Sequence, residues 1–351
     1  GGSMENRARF PLMVIDRIRQ VCGDDLLIEY RMSGAERVPG GLTIEDSVEF
    51  AKIIQDHVDI IHVTSGLYHN HVESKAFSSI YHPHGCNLDL AEAIKKAVHI
   101  PVTAVGGFNS PEQIEEAIAS GKCDFVALGR QMLADPDIAN KGKDGRYEQV
   151  RRCLRCATCQ SGRFTRGTAR CAVNPEIGRE FQLEFAPGKA ANPKKVLIAG
   201  GGPAGMEAAI IAARRGHDVT LYEKSDHLGG ALDFAENIDF KADLFNLTKS
   251  MEAELKALPV KIVMNTALTP EIAKAENADA IICAAGADPI RPPFPGIDLP
   301  KVKMAAEADA GDVIGNNIPA RALGLEKGER DIMSRRPRSA RPTAARTAGS
   351  E

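Results

Sequence analysis

Half of the chain's cysteines lie in one short segment. Four of the eight fall between residues 153 and 171, with the spacing Cys153-x2-Cys156-x2-Cys159-x11-Cys171. In a reducing compartment, cysteines clustered in this way indicate metal ligands rather than disulfides. Three thiols in a tight loop, with a fourth from a later turn, suit a cubane iron–sulfur cluster. Zinc held by the same four thiolates is an alternative, and so is a segment that holds no metal.

A second group of residues predicts a dinucleotide site. The run VLIAGGGPAG places Gly200, Gly202 and Gly205 in G-x-G-x-x-G spacing directly after an apolar strand. Gly200 permits the tight turn, Gly202 lets the backbone approach a pyrophosphate, and Gly205 lets helix and strand pack closely. The next strand ends in Glu223, whose carboxylate can accept hydrogen bonds from both ribose hydroxyls and repels a 2′-phosphate. The sequence therefore predicts an adenine-dinucleotide fold here.

Two glycine-rich strand ends predict a phosphate site in the first part of the chain. Gly106-Gly107 and Gly129-Arg130 each follow a short apolar run. Backbone N–H groups can approach a phosphate closely at such glycines because no Cβ intervenes, and Arg130 adds positive charge. Arg31 ends another strand, on what we expect to be the same face. The alternative is that Arg31 and Arg130 only form surface ion pairs.

Alternating strands and helices must position these residues. Four apolar runs are predicted strands: 26–34, 58–66, 100–108 and 123–130. Helices are predicted between them, one of which starts at Pro111 with Ser110 as its N-cap and ends at Gly121. Short strands that alternate with helices predict an α/β fold with a parallel sheet, whose functional residues gather at the carboxyl ends of the strands.

Composition divides the chain into four segments. Residues 1–140 carry the first alternating pattern, and residues 141–190 carry the cysteines and a linker-like stretch rich in Pro, Gly and Ala. Residues 191–310 hold the dinucleotide pattern. Residues 311–351 end in the arginine-rich MSRRPRSARPTAARTAGSE, which has almost no apolar residues and is predicted to be disordered.

Bulk composition also limits the partners that we expect. The formal net charge of -3 gives no indication of nucleic-acid binding, and no apolar run is long enough for a membrane span. Without a signal peptide pattern, a cytoplasmic protein with a small-molecule substrate is expected, and homo-oligomerisation stays open. The cysteines outside the cluster are expected to be small buried side chains: Cys22, Cys86, Cys123 and Cys283.

Together these motifs resemble a known family. The opening run GGSMENRARF, the cysteine segment and the dinucleotide pattern are similar to the multi-domain branch of the NADH:flavin oxidoreductase (old yellow enzyme) family. That branch includes 2,4-dienoyl-CoA reductase, trimethylamine dehydrogenase and bile-acid-type flavin oxidoreductases. The resemblance implies the C-terminal half of a TIM (β/α)8 barrel (strands 5–8), a Cys-rich iron–sulfur loop segment and a Rossmann-like FAD/NAD(P)-binding domain. Since only four barrel strands are visible, an N-terminally truncated fragment is expected.

The resemblance also implies roles for individual residues. Arg31 matches an arginine at the N1/O2 edge of the flavin, where a cation stabilises the anionic reduced ring. The two glycine-rich strand ends match the loops that hold the FMN phosphate. His69 falls near the family's active-site histidine, with His71 or a loop histidine without a role as alternatives, and Tyr68 is a candidate proton donor. The four clustered cysteines match the ligands of a [4Fe–4S] cluster.

The activity that the resemblance implies is that of a flavin-dependent ene-reductase. NAD(P)H would reduce FAD, and electrons would pass through the cluster to FMN for reduction of an activated C=C bond. The substrate would be an enoyl thioester, an enoate or a 3-oxo-Δ4 steroid acid. Gly229 and Gly230 resemble the double glycine typical of FAD-binding flavoproteins, which implies FAD rather than NAD at the dinucleotide site, with bare ADP as an alternative. Alternative functions are an amine dehydrogenase of the trimethylamine dehydrogenase type, a non-catalytic fragment that only binds cofactors, and a zinc-stabilised interaction protein.

Overall fold

The structure is a computed structural model, and it describes most of the chain. The described residues are 1–68, 75–161, 169–182, 188–235, 241–288, 290–299 and 302. The chain divides into two compact units. The first comprises Gly1–Leu232 and Asp243–Gly286 and contains both sheets, whereas the second comprises Asp233–Ala242 and Ala287–Glu351. In the second unit, residues 290–299 are turn and irregular chain.

The first sheet consists of four parallel strands in the order β1-β2-β3-β4. Its strands are β1 (Glu29–Ser33), β2 (Ile60–Thr64), β3 (Val102–Ala104) and β4 (Phe125–Val126). The helices around it are α1 (Met4–Cys22), α2 (Ile44–Ile54), α3 (Leu88–Lys95), α4 (Pro111–Ala119), α5 (Arg130–Ala134) and α6 (Ile138–Lys143). All four strands lie within the predicted runs, so the alternating α/β pattern with a parallel sheet is confirmed.

Local signals in the sequence explain where these helices begin. The Ser110 hydroxyl accepts a hydrogen bond from the Gln113 N–H at 3.3 Å, and Pro111 occupies the first turn of α4, where no N–H is needed. Beyond α4 the chain turns at Gly121, whose φ is 72°. The core of this sheet is made of fully buried aliphatic side chains from strands and helices: Ile54, Ile61, Val63, Ile94 and Val102.

The second sheet is also parallel, with the order β7-β6-β5-β8. It follows a 3-10 turn (Tyr147–Gln149) and the cysteine segment. Its elements are β5 (Lys195–Ala199), α7 (Pro203–Arg214), β6 (Asp218–Tyr222), a 3-10 turn (Gly230–Ala235), α8 (Ala242–Lys256), β7 (Val260–Val263), α9 (Pro270–Glu276) and β8 (Ala280–Cys283). Leu197, Ile198, Met206, Ile210 and Leu221 are fully buried there. The predicted strand–glycine turn–helix–strand sequence is therefore present.

Several sequence-based expectations on architecture stay predictions. They are the half barrel, the Rossmann-like identity of the second sheet and the division at residues 140, 190 and 310. Residues 311–351 lie outside the described residues, and so does the disorder predicted for them. Within the described part of the chain, none of the helices combines enough length and apolar character to cross a lipid bilayer.

The four cysteines outside the cluster divide into two pairs. Cys86 and Cys123 are buried, as expected, whereas Cys22 and Cys283 are exposed, so the prediction was wrong for these two. Cys22 is the last residue of α1. Cys283 ends β8, an edge strand of the second sheet whose last three residues are all exposed. Apolar composition predicted burial in both cases, but helix ends and sheet edges have no neighbour to cover them.

Candidate functional site

The carboxyl ends of the first sheet enclose a cavity of about 210 Å³, which we call the strand-end cavity. The loops that follow β2, β3 and β4 contribute to its walls, as is typical of parallel α/β folds. All five residues that the sequence predicted to bind FMN line it: Arg31, Gly106, Gly107, Gly129 and Arg130. Their binding role stays a prediction, but the structure brings them to one place.

The charge of the strand-end cavity favours an anionic ligand. Among its described lining residues, four are cationic (Arg31, Lys75, Arg130 and Arg155) and none is Asp or Glu. Arg130 Nη2 donates to the Ser78 hydroxyl at 2.8 Å and to the Ser78 carbonyl oxygen. In the described part of the chain, no acidic side chain forms an ion pair with Arg31. The alternative of simple surface ion pairs therefore does not describe these two arginines.

Two glycines of the strand-end cavity lie closer to their protein neighbours than a side chain would allow. A Cβ on Gly106 would lie 3.0 Å from the backbone nitrogens of Cys86 and Asn87. Gly107 has a φ of +78°, and its Cβ would lie 2.6 Å from Ser78 Oγ. Gly129 has nothing within 4 Å of the corresponding position. Close packing of the cavity wall therefore requires glycine at positions 106 and 107, whereas open space lies beside Gly129.

An unsatisfied polar atom in the same cavity also points to a ligand. Asn87 is 3% exposed and lines the strand-end cavity, yet its Oδ1 has no hydrogen-bond partner among the described residues. Buried polar atoms are normally paired, so this acceptor needs a donor from a ligand or water. Together with the four cations and the glycines, it fits a molecule that combines a phosphate with hydrogen-bond donors, as FMN does.

Of the candidate catalytic residues, the structure describes only Tyr68. Its side chain is 67% exposed, and its ring meets the edge of Phe77 with centroids 5.8 Å apart. Because Phe77 lines the strand-end cavity, Tyr68 lies one side chain away from it. His69 and His71 lie outside the described residues. The proton-donor role of Tyr68 and the active-site role of His69 stay predictions.

The segment of residues 153–159, which we call the cysteine loop, contributes to the wall of the strand-end cavity. Cys153 and Arg155 both line it. Gln131 Oε1 accepts the N–H of Cys153 at 2.7 Å, and the N–H of Arg155 lies 3.4 Å from Cys153 Sγ. Arg155 and Ala157 have φ values of 52° and 59°, which are uncommon for residues with side chains. The loop is therefore tightly turned directly beside the cavity.

The four clustered thiols are free and electrostatically coupled. Burial raises the pKa of Cys153 to about 11, and the neighbouring Cys171 and Cys156 add to this. Burial also raises the pKa of Cys159, and the same two neighbours contribute. Their donor chemistry fits an iron–sulfur cluster. Within the described residues, however, no three His, Cys, Asp or Glu side chains already surround a metal position, so the ligand set stays a prediction.

These environments predict different reactivities of the thiols in metal-free protein. Near neutral pH, iodoacetamide is expected to modify Cys156 at least about tenfold faster than Cys153, because only thiolates react and the Cys153 pKa is raised. Peptide mass spectrometry over a time course measures both rates. Exposed Cys22 and Cys283 serve as internal references. Equal modification rates for Cys153 and Cys156 would show that the cysteine loop does not bury the Cys153 thiol.

In the second sheet, the glycine motif adopts the conformation that its spacing predicts. Gly200 has a φ of +107°, and a Cβ there would lie 2.4 Å from the Ala284 carbonyl oxygen. A Cβ on Gly205 would lie 1.8 Å from the Gly200 carbonyl oxygen, so helix and strand meet at this point. A Cβ on Gly202 would meet nothing within 4 Å. Two glycines are therefore needed by the fold, and Gly202 leaves open space before α7.

Glu223 is tied to the glycine turn. Its Oε2 accepts the N–H of Gly201 at 2.6 Å, and its Oε1 accepts the N–H and hydroxyl of Ser225 at 2.8 and 2.7 Å. Burial opposes ionisation of Glu223, but these hydrogen bonds lower its pKa below the ordinary value. Gly229 donates to the Gly201 carbonyl at 3.1 Å, and a Cβ on Gly230 would lie 3.3 Å from the Cα of Gly202. Glu223, Gly229 and Gly230, which were predicted to bind the dinucleotide, thus lie together at the glycine turn.

Sequence reasoning missed a buried carboxylate that bonds to Arg155, a residue of the lining of the strand-end cavity. Asp243 bonds to His84, Asn109 and Arg155, which come from loops far away in the chain. The one local signal was a charged residue, Arg155, between two clustered cysteines. Asp243 itself belongs to no motif, so no spacing rule could have singled it out.

Two parts of the chain match known protein families. Residues 1–149, which contain the first sheet, match the NADH:flavin oxidoreductase / NADH oxidase family. Residues 195–235, which contain the glycine motif and Glu223, match FAD dependent oxidoreductases. Both matches fall on the parts of the chain that carry the candidate cofactor residues.

Individual relatives agree over most of the chain. It is 41% identical over 307 residues to an NADH oxidase of Thermoanaerobacter brockii, covering 85% of this chain and 46% of that protein. It is 40% identical over 303 residues to a cinnamate reductase of Clostridium sporogenes, covering 82% of this chain and 45% of that protein. A solved structure of 2-naphthoyl-CoA reductase with 2-naphthoyl-CoA has 35% identity and a TM-score of 0.81, covering 89% of this chain and 48% of that one.

The extent of these matches fits the two-sheet architecture. The chain spans about half the length of the curated relatives that it matches. The solved neighbour, at 35% identity and a TM-score of 0.81, shares the overall fold of most of this chain. Residues 1–149 thus match the NADH:flavin oxidoreductase / NADH oxidase family, and most of the chain is similar to oxidoreductases of which it spans about half the length.

Proposed function

We propose that this chain is the part of an NAD(P)H-dependent ene-reductase that binds FMN in the strand-end cavity, a [4Fe–4S] cluster at the cysteine loop and FAD at the glycine motif. The observation that carries the proposal is that Cys153 and Arg155 line the same cavity as Arg31, Gly107 and Arg130. A cluster in this loop would lie beside a flavin in that cavity. Such an arrangement suits transfer of electrons between the two.

Each group would supply chemistry that side chains cannot. FAD would accept a hydride from NAD(P)H, the cluster would pass single electrons, and FMN would deliver a hydride to an activated C=C bond. The chain would supply binding and charge. Gly106 and Gly107 would present backbone N–H groups to the phosphate, with Arg130 as counter-charge. Arg31 would stabilise negative charge on the isoalloxazine ring.

The relatives support the choice of an activated alkene as substrate. A cinnamate reductase and a 2-naphthoyl-CoA reductase both carry names that state reduction of a conjugated acid derivative. For this chain, an enoate or enoyl thioester is therefore the proposed substrate class. Glu223 would select the nucleotide at the second sheet, because its ionised carboxylate repels a 2′-phosphate.

Metal and flavin analysis of single-cysteine variants tests the proposal. The full chain is purified anaerobically and reconstituted with iron, sulfide, FMN and FAD. Wild type is expected to hold about four irons per chain. Cys171→Ser is expected to hold fewer than about one, because a cubane that loses a thiolate ligand is poorly retained. Iron, acid-labile sulfide and released flavins are measured by chemical assay and chromatography.

The control and the contrary outcomes are specific. Cys283→Ser removes an exposed thiol of β8, outside the cysteine loop, and is expected to keep the wild-type iron content. Zinc in place of iron, or equal iron in the two variants, would contradict the cluster. Flavin that NADH does not bleach, reduced flavin that cinnamate does not reoxidise, or oxidised flavin that an N-methylamine reduces would contradict the ene-reductase direction.

A further inference from the structure

One buried carboxylate connects two walls of the strand-end cavity. Asp243 lies at the beginning of α8 and is 4% exposed. Its Oδ1 accepts a hydrogen bond from Asn109 Nδ2 at 2.8 Å and lies 3.1 Å from His84 Nε2. Its Oδ2 accepts from Arg155 Nε and Nη2 at 3.2 and 3.1 Å. A residue of the second-sheet region thus binds three side chains that come from earlier in the chain.

Each of these three partners also holds part of the cavity wall. His84 Nδ1 lies 2.6 Å from the carbonyl oxygen of Gly107, the glycine that turns at positive φ beside the cavity. Asn109 Nδ2 donates to the carbonyl oxygen of Cys153 at 3.1 Å. Arg155 itself lines the cavity. Asp243 is therefore one contact away from both the glycine turn and the cysteine loop.

The bonds of this network are charged and directional. His84 lies between a carbonyl oxygen and a carboxylate, which are both hydrogen-bond acceptors. Burial alone would raise the pKa of Asp243, but the bonds from His84 and Asn109 and the charge of Arg155 lower it below the ordinary value. Asp243 is thus ionised at neutral pH, and buried charged bonds of this kind hold their partners in fixed geometry.

We propose that Asp243 is a positioning residue for the flavin phosphate, which acts through His84 and Arg155 to fix the Gly107 turn and the cysteine loop relative to each other. This inference rests on the proposed binding of FMN in the strand-end cavity. It also means that residues 1–149, although they match the family, do not contain all that the flavin site requires. Helix α8, which follows the glycine motif, completes the site.

Two effects of removing the Asp243 charge oppose each other, which makes the proposal testable. Loss of the negative charge makes the cavity more positive and, by electrostatics alone, would tighten the binding of a phosphate. The hydrogen bonds of Asp243 with His84, Asn109 and Arg155 are here called the Asp243 brace. Loss of this brace would let Gly107 and Arg155 move and would weaken phosphate binding. Outer hydrogen-bond partners at metal sites typically contribute about ten- to hundredfold in affinity, and we expect the brace to outweigh the charge.

The experiment measures the dissociation constants of FMN and riboflavin with the full chain and with Asp243→Asn. Riboflavin lacks the phosphate, so it reports on the ring site alone. Asp243→Asn is expected to raise the dissociation constant of FMN about tenfold or more and to change that of riboflavin by less than about twofold. Tighter FMN binding would show that only the charge matters, and equal weakening of both flavins in a variant with the wild-type circular dichroism spectrum would show that Asp243 does not act on the phosphate. Either result would overturn the proposal.

Glu254→Gln is the matched control. Glu254 lies on the same helix and is also 4% exposed, but its ion pairs are with Arg151 and Arg214 and not with the glycine turn. The FMN affinity of the Glu254→Gln variant is expected to stay within about twofold of that of wild type. His84→Leu cuts only the branch to Gly107 and keeps the pair of Asp243 with Arg155, so it is expected to reproduce the FMN-specific loss if Asp243→Asn folds poorly.

A measurement without flavin separates this inference from the proposed function. Amide hydrogen exchange of the flavin-free chain is expected to be faster in Asp243→Asn at residues 105–109 and 153–157, and unchanged at 105–109 in Glu254→Gln. If wild type binds neither flavin, the proposed function fails, while this exchange pattern still decides whether Asp243 braces the two loops. Unchanged exchange at 105–109 in Asp243→Asn would overturn the brace even in a chain that binds FMN.

Discussion

Replacing Gly205 by alanine is expected to destabilise the second sheet by about 3 kcal/mol or more and to abolish dinucleotide binding. The added Cβ would lie 1.8 Å from the Gly200 carbonyl oxygen, which is backbone and cannot rotate away. Helix α7 would have to move away from β5, although Ile198, Met206 and Ile210 are fully buried in the core they share. Urea unfolding followed by circular dichroism measures the loss, and FAD fluorescence measures binding.

Gly202→Ala is the matched control in the same motif. Gly202 has a φ of -72°, which alanine adopts, and its Cβ would meet nothing within 4 Å. The free energy of unfolding is therefore expected to fall by less than about 1 kcal/mol, the difference between glycine and alanine at an N-cap. Dinucleotide affinity is nevertheless expected to fall about tenfold or more, since the new methyl occupies the space next to α7. A Gly202→Ala chain that binds FAD like wild type would contradict a pyrophosphate at this turn.

Gly107→Ala is expected to remove FMN binding, with a loss of affinity of about tenfold or more. The φ of +78° is unfavourable for alanine, and the Cβ would lie 2.6 Å from Ser78 Oγ and 3.2 Å from Arg155 Cδ. Ser78 holds Arg130, so the change displaces two of the cavity's four cationic side chains. Titration of the full chain with FMN, followed by flavin fluorescence, measures the effect.

Gly121→Ala separates backbone strain from damage to the cavity. Gly121 follows α4 with a φ of +72°, close to that of Gly107, but its Cβ would meet nothing within 4 Å. The strain is expected to cost about 1 kcal/mol of stability and to leave the FMN affinity unchanged. If Gly107→Ala lost no more FMN affinity than Gly121→Ala, the glycine turn after β3 would not be part of the flavin site.

The elements of the fold were predictable because their signals are local. Four apolar runs gave the four strands of the first sheet, although the strands are shorter than the runs, with β4 reduced to Phe125–Val126. The start of α4 followed from Ser110 and Pro111, whose side chains act on the next few residues. Exposure was less predictable, as Cys22 and Cys283 show, because it depends on what lies opposite a residue.

The candidate site was predictable to the extent that backbone chemistry demands glycine. A turn at positive φ, or a backbone contact closer than a Cβ allows, restricts the residue type at that position, and Gly107, Gly200 and Gly205 meet these conditions. The spacing of clustered thiols is restricted in the same way by the metal that they would share. Such constraints act within a few residues, so they are visible in the sequence as motifs.

The sequence by itself determined the alternation of strands and helices, the two glycine turns and the cysteine loop. Only the tertiary structure decided that Arg31, Arg130 and Cys153 share one cavity, and that Asp243 of α8 bonds to Arg155 in its wall. The physical reason is that a buried carboxylate requires partners but does not specify where in the chain they lie. Asp243 is 134 residues from Asn109 and 159 from His84, and only packing of the two sheet regions brings their side chains within hydrogen-bond distance.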